Sequence, residues 1–252
     1  MSSKGVCLVI GAGDATGGAV AKRFARDGYI ACITRRSLDK LQALKSAIES
    51  AGGTCHAFGS DARAEEEVVA LVEQIERDIA PIEVMVFNIG ANSPNSILTE
   101  TARRYTKMWE MACLAGFLTG REVAKRMVAR PSSSPELGAQ HKGTIIFTGA
   151  SASLRGSAGF AGFSGGKMAL RALAQSMARE LGPMGVHVAH TIIDGAIDTE
   201  FIRSNFPERY AQKAQGGILN PDHIADAYLM LHKQPRDAWT HELDLRPYME
   251  KF

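Results

Sequence analysis

Cysteine is scarce and scattered. The chain has four, Cys7, Cys32, Cys55 and Cys113, with no CxxC pair and no Cys/His spacing of the kind that holds a metal. A disulfide framework and a structural metal are both excluded on that pattern. Cys7 and Cys32 fall in apolar, strand-like runs and read as small buried hydrophobes in a reducing compartment, so a cytoplasmic location is expected. Neither sign of charge dominates: 29 Lys and Arg face 27 Asp and Glu, a net of +2, which supports neither a nucleic-acid partner nor polybasic membrane attachment. No apolar run approaches the roughly 18 residues of a spanning helix, and the stretch 5–10 behind Met1 is too short for a secretory leader. Internal repeats and low-complexity tracts are also missing. What remains is a chain of 252 residues with 45% hydrophobic and 22% charged residues, ordinary values for a folded domain and incompatible with general disorder. That length is enough for one large α/β domain, expected to span 1–252 as a single unit.

Short β-branched runs alternate with longer amphipathic ones. Strands are expected at 6–10, 29–34, 54–58, 82–87, 144–148, 186–193 and 242–245, and helices at 17–27, 37–51, 64–79, 101–129, 166–181 and 221–232. Consecutive apolar residues such as Val84-Met85-Val86-Phe87 mark strands buried on both faces, the signature of a parallel sheet between helical layers. Right-handed crossovers then give a doubly wound sheet of about seven strands, with its ligand crevice at the carboxyl ends. Glu65, Glu66 and Glu67 open a helix, where the macrodipole favours negative charge, and so read as a solvated helix start rather than a metal site. The Pro/Ser-rich stretch 130–143 is expected to be an exposed, flexible loop.

The chemistry begins after the first strand, at Gly11-Ala12-Gly13-Asp14-Ala15-Thr16-Gly17-Gly18. Glycines at a strand-to-helix turn let the backbone approach a pyrophosphate, which the helix N-terminus attracts. Thr16 breaks the usual GxGxxG, and no Gly-Lys-Ser/Thr follows for a Walker loop. The spacing fits Gly-x-x-x-Gly-x-Gly better, with Gly11, Ala15 and Gly17 at the glycine positions.

In that spacing, and in the order of landmarks behind it, the chain resembles the short-chain dehydrogenase/reductase family over essentially its whole length. Those landmarks are Asp61 after the third strand, Asn88-Ile89-Gly90 after the fourth, Phe163-Ser164-Gly165-Gly166-Lys167 in the Tyr-x-x-x-Lys region, and Asp194-Gly195-Ala196-Ile197-Asp198-Thr199 after the sixth. The resemblance implies a Rossmann-type fold that binds a nicotinamide dinucleotide. It assigns Gly11, Asp14, Ala15, Thr16 and Gly17 to the pyrophosphate and adenosine ribose. Asp61 and Ala62 go to the adenine, Asn88, Ile89 and Gly90 to the strand end facing the cofactor, and Gly195, Ile197 and Thr199 to the carboxamide side. Lys167 would hold the nicotinamide ribose. Arg35 and Arg36 stand where an NAD-preferring site would place a carboxylate; two guanidiniums instead suit a 2′-phosphate, so NADP(H) is favoured over NAD(H).

The catalytic positions depart from the family pattern. Phe163 occupies the tyrosine position and has no proton to give; thirteen residues earlier Ala150 occupies the serine position, and Cys113 that of the upstream asparagine. The chain thus resembles a divergent subgroup with Phe for Tyr and Lys retained. Lys167 and the neighbouring Ser151 are the catalytic candidates, with Ser153, Thr148 and Tyr210 as further possible donors, while His190 reads as a satisfied core histidine. Two functions follow. One is an NADP(H)-dependent oxidoreductase transferring hydride to a carbonyl or activated alkene with an atypical site. The other is a catalytically impaired dinucleotide-binding sensor or scaffold. A substrate loop is expected around 195–220, where Phe201, Phe206 and Tyr210 point to a small apolar substrate. The resemblance also implies a homodimer or homotetramer built on the long helices near 101–129 and 166–181.

Overall fold

The computed structural model describes residues 3–90, 93–130 and 140–251. Seven strands form one sheet: β1 (Val6–Ile10), β2 (Ile30–Arg35), β3 (Cys55–Gly59), β4 (Ile82–Phe87), β5 (Gly143–Thr148), β6 (Val186–Ile193) and β7 (Glu242–Leu245). Their spatial order is β3-β2-β1-β4-β5-β6-β7 and every pairing is parallel. Alternate residues of β1 serve opposite cores. Cys7 and Val9 pack with Phe24, Ile48 and Tyr228, whereas Val6, Leu8 and Ile10 pack with Val72, Val123 and Leu170. Helices α1 (Thr16–Arg26), α2 (Gln42–Ser50) and α9 (Pro221–His232) cover the first face; α3 (Glu65–Asp78), α5 (Ala115–Ala129) and α6 (Ala161–Leu181) cover the second. Both faces of the central strands are covered, so these need no polar alternation of a half-buried sheet, and the exposed His56 and Asp244 fall on the edge strands β3 and β7. The doubly wound parallel sheet expected from the sequence is the observed architecture.

Three helical expectations are corrected. The run 101–129 is divided: α4 (Ala102–Trp109) passes through a π turn at Glu110–Leu114 before α5, placing one extra residue in the coil beside Cys113. The run 37–51 opens as a 3₁₀ turn, Leu38–Leu41, ahead of α2. Helix α6 starts at Ala161 rather than at 166, so Phe163 is helical. Its glycines mark close approach, not a break. A Cβ on Gly162 would stand 2.6 Å from Met108 Sδ, and one on Gly166 would stand 2.9 Å from Ala112 Cβ. Two short helices, α7 (Glu200–Asn205) and α8 (Pro207–Tyr210), lie in the substrate-loop region. Of the loop expected at 130–143, residues 131–139 lie outside the described residues.

Candidate active site

The sheet order reverses between β1 and β4, and a cleft of about 850 Å³ lies at the carboxyl ends there, as ligand crevices do in doubly wound sheets. One end of the cleft is the glycine turn. Gly11 has φ +88°, and a Cβ on it would come within 2.8 Å of the Ile89 side chain. A Cβ on Gly17 would meet the Gly11 carbonyl at 2.7 Å. Only glycine lets α1 begin this close to β1. Ala15 adopts φ −103° and makes no side-chain cap, so its methyl group is accommodated while the first turn of α1 keeps uncapped N–H groups. The Thr16 hydroxyl is buried without a hydrogen-bond partner among the described residues.

Gly11, Asp14, Ala15, Thr16 and Gly17 share this cleft with Arg35 and Arg36 at the tip of β2 and with Asp61 and Ala62 beyond β3. Asn88, Ile89, Gly90, Ser151, Lys167, Gly195, Ile197 and Thr199 complete the set. Seventeen residues between positions 11 and 199 are thereby brought to one crevice. The Asn88 amide donates to the Gly11 carbonyl at 3.2 Å, tying the β4 tip to the glycine turn. The Thr199 hydroxyl accepts from the Ile202 amide at 3.2 Å and caps α7.

Sequence reasoning missed Arg63, which also lines the cleft. Its guanidinium grips Asp61 with two bonds, Nε to Oδ1 at 2.9 Å and Nη2 to Oδ2 at 2.5 Å. The Arg63 amide adds a third bond to Oδ1 at 3.1 Å, and these bonds hold the Asp61 carboxyl below the usual carboxylate range. The Asp61 amide in turn donates to Glu67 at 2.8 Å. The acidic start of α3 thus has a second task, fixing the loop that carries Asp61.

Lys167 is buried, and its Nζ donates to the carbonyl oxygens of Ile89 (3.1 Å) and Thr148 (2.7 Å). Burial lowers its pKa to about 8, since an apolar environment disfavours the charged amine. Phe163 and Ala150 line the cleft beside it, together with Met111 and Phe201. The donor candidates separate cleanly. Ser153 is buried, and its Oγ accepts from the Ala150 amide at 3.2 Å. The Thr148 hydroxyl bonds Tyr228 (2.9 Å), which bonds Thr191 (2.6 Å). Tyr210 does not line the cleft, whereas Ser151 does. Cys113 sits in the π turn with its thiol pKa raised by burial, which argues against a nucleophilic role.

His190 requires a correction. Its Nδ1–H donates to Glu242 at 3.0 Å, but its Nε2 has no partner among the described residues. Asp194, buried at the end of β6, lies 3.8 Å from Arg155, in the loop after Ser153, and 3.5 Å from Arg246, in the C-terminal tail. All four cysteines are buried and unbonded to one another. Among the described residues no cluster suits a metal, and no helix is long and apolar enough to cross a membrane.

Comparison with known proteins gives a consistent picture. The family model described as short chain dehydrogenase matches residues 5–209. The chain is 28% identical over 242 residues to the short-chain reductase protein NovJ of Streptomyces niveus, covering 89% of this chain and 86% of that one. It is similar to the crystal structure of a short-chain dehydrogenase from Rhodopseudomonas palustris at 42% identity and TM-score 0.79, over 98% of this chain and all of that one. A metagenomic short-chain oxidoreductase in complex with NADP superposes with TM-score 0.81 at 24% identity, covering 98% of this chain and 99% of that one.

Proposed function

The chain belongs to the short-chain dehydrogenase/reductase family, and from that premise we propose that it is an NADP(H)-dependent oxidoreductase acting on the carbonyl or activated alkene of a small apolar substrate, with an atypical catalytic site. One observation carries the reading: the uncapped start of α1, the two arginines ending β2 and the buried Lys167 all open onto one cleft. A dinucleotide fits what is present there. The first-turn N–H groups of α1 and the orphaned Thr16 hydroxyl are donors awaiting an acceptor, and the space a Cβ would occupy at Gly13 and Gly90 is open.

Gly11, Asp14, Ala15, Thr16 and Gly17 would hold the pyrophosphate and adenosine ribose, the helix dipole adding to the N–H contacts. Arg35 and Arg36, which make no ion pair among the described residues, would grip a 2′-phosphate. Asp61 and Ala62 would border the adenine, Asn88, Ile89 and Gly90 the central span, and Gly195, Ile197 and Thr199 the carboxamide. When bound, the nicotinamide supplies the hydride. The protein's own part is to orient the substrate, exclude water and provide a proton. Lys167 Nζ holds a proton at neutral pH, in a site where burial makes it unusually easy to release. The Ser151 hydroxyl is the remaining candidate to orient a substrate oxygen. Met111, Phe163 and Phe201 give that end of the cleft apolar walls. A cytoplasmic setting accords with four buried free thiols.

The second reading, a dinucleotide-binding sensor or scaffold with impaired catalysis, is favoured by Phe163 and Ala150 standing in the cleft without a hydroxyl. Calorimetry separates what the two share from what they do not. NADPH is expected to bind more tightly than NADH, and Arg36→Asp should reverse the order. Absence of heat and of any melting shift with either nucleotide would remove both readings. If NADPH binds but no aldehyde, ketone or enoyl compound in a broad panel is reduced, the sensor reading stands.

A further inference from the structure

Resting on the NADP(H) reading, we infer that Arg63 is a specificity-determining residue: by clamping Asp61 it cancels the one carboxylate that borders the adenine, and so lets the adenosine end accept a 2′-phosphate. The charges lining that end are few. Asp14 and Asp61 are negative, whereas Arg35, Arg36 and Arg63 are positive. With Arg63 the positive charges outnumber the negative by one; without it they balance, and Asp61 faces an incoming phosphate unpaired. The clamp is built for this task. It is a two-pronged guanidinium–carboxylate contact with a third bond from the Arg63 backbone. Its loop is fixed by the Asp61 amide bonded to Glu67. Fork geometry adds rigidity as well as charge, which a lysine in the same place would not. Arg36 also acts on the Asp61 charge. Asp61 thus pairs with Arg63 and shares the cleft with Arg36, the guanidinium left for the ligand. Oδ2 receives one hydrogen bond and keeps capacity for an adenine amino group, so neutralisation does not close the base site.

The test compares 2′,5′-ADP with 5′-ADP by calorimetry on the full chain. The ratio of the two affinities cancels every contact that the nucleotides share, including the adenine contact to Asp61. Wild-type protein is expected to prefer 2′,5′-ADP. Arg63→Met should lower that preference about five- to tenfold, chiefly through 2′,5′-ADP, and the loss should shrink in 0.5 M salt as the unpaired charge is screened. The double variant Asp61→Asn/Arg63→Met should recover the wild-type ratio, and Asp61→Asn alone should raise it. Because the single Arg63 variant could disturb the loop, Arg63→Lys serves as a second probe, with charge kept and fork lost, and should fall between wild type and Arg63→Met. An unchanged ratio in Arg63→Met, a ratio that the double variant does not restore, or a ratio that falls in Asp61→Asn overturns the inference while leaving NADPH binding intact. Wild-type protein that binds neither NADPH nor 2′,5′-ADP overturns the parent reading as well.

Discussion

Phe163 and Lys167 stand four residues apart on α6 and line the same cleft, as the geometry of one helix face requires. Replacing the phenyl ring by a phenol adds one acid where a positioned proton donor contributes roughly 10²- to 10⁴-fold. Phe163→Tyr is expected to raise kcat for carbonyl reduction within that range and to leave NADPH affinity unchanged; stopped-flow and calorimetry report the two quantities separately. Lys167 has a second consequence. Its pKa of about 8 in the fold lies below the ordinary 10.5, so between those values the unfolded chain binds more protons and stability rises with pH. The full penalty applies below pH 8 and is relieved toward pH 10.5, an effect of roughly 3 kcal/mol. The urea midpoint of wild type relative to that of Lys167→Met should therefore climb between pH 7.5 and 9.5, a difference in which the four buried thiols, whose raised pKa values act in the opposite direction, cancel. Lys167 was legible in the sequence because a motif fixes its neighbours. Arg63 was not, because its pairing with Asp61 depends on how the chain turns between them. The unpartnered His190 Nε2 was equally hidden: a histidine in an apolar strand says nothing about which ring nitrogen finds an acceptor.

The elements themselves were legible wherever packing and periodicity agree, as in β4, whose apolar run has the same bounds in the fold as in the sequence. They were less so where long-range packing decides. The glycines of α6 read locally as a helix boundary, but they sit where α4 and the π turn press against that helix. At the other end of the sheet, His141, His187 and His232 gather around the starts of β5 and β6 and the end of α9. Trp239 stacks on His187 with ring centroids 4.8 Å apart and meets His141 edge-on at 5.5 Å. His232 bonds both Tyr29 and Thr144 at 2.8 Å. Burial holds all three below the ordinary histidine range, with His141 near 4. A histidine held neutral in the fold takes up a proton on unfolding, so for His141 stability is lost as pH falls from about 6.5 toward 4, and His187 and His232 act in the same direction. The expected outcome is a urea midpoint that drops between pH 6.5 and 5. His141→Leu should reduce the limiting slope by about 1.4 kcal/mol per pH unit, the share of one proton; an unaltered slope would show that His141 titrates normally.

At the scale of the whole molecule, Tyr105 and Trp109 on α4, Phe117 on α5 and Met168 on α6 are exposed. Exposed large apolar side chains on adjoining helices make a candidate surface for association, where the homodimer or homotetramer implied by the family resemblance would form. Sedimentation velocity is expected to give a dimer or tetramer, and Trp109→Glu to shift it toward monomer; an unchanged distribution would place the interface elsewhere.

Three stretches distant in sequence meet at the Asp194 carboxylate: the loop beyond Ser153, the last residue of β6's run before Gly195, and the C-terminal tail. The Asp194 carboxylate therefore ties these stretches together immediately before Gly195, which lines the cleft. A change in the tail at Arg246, which does not itself line the cleft, would act on the residue adjoining Gly195 of the cleft lining.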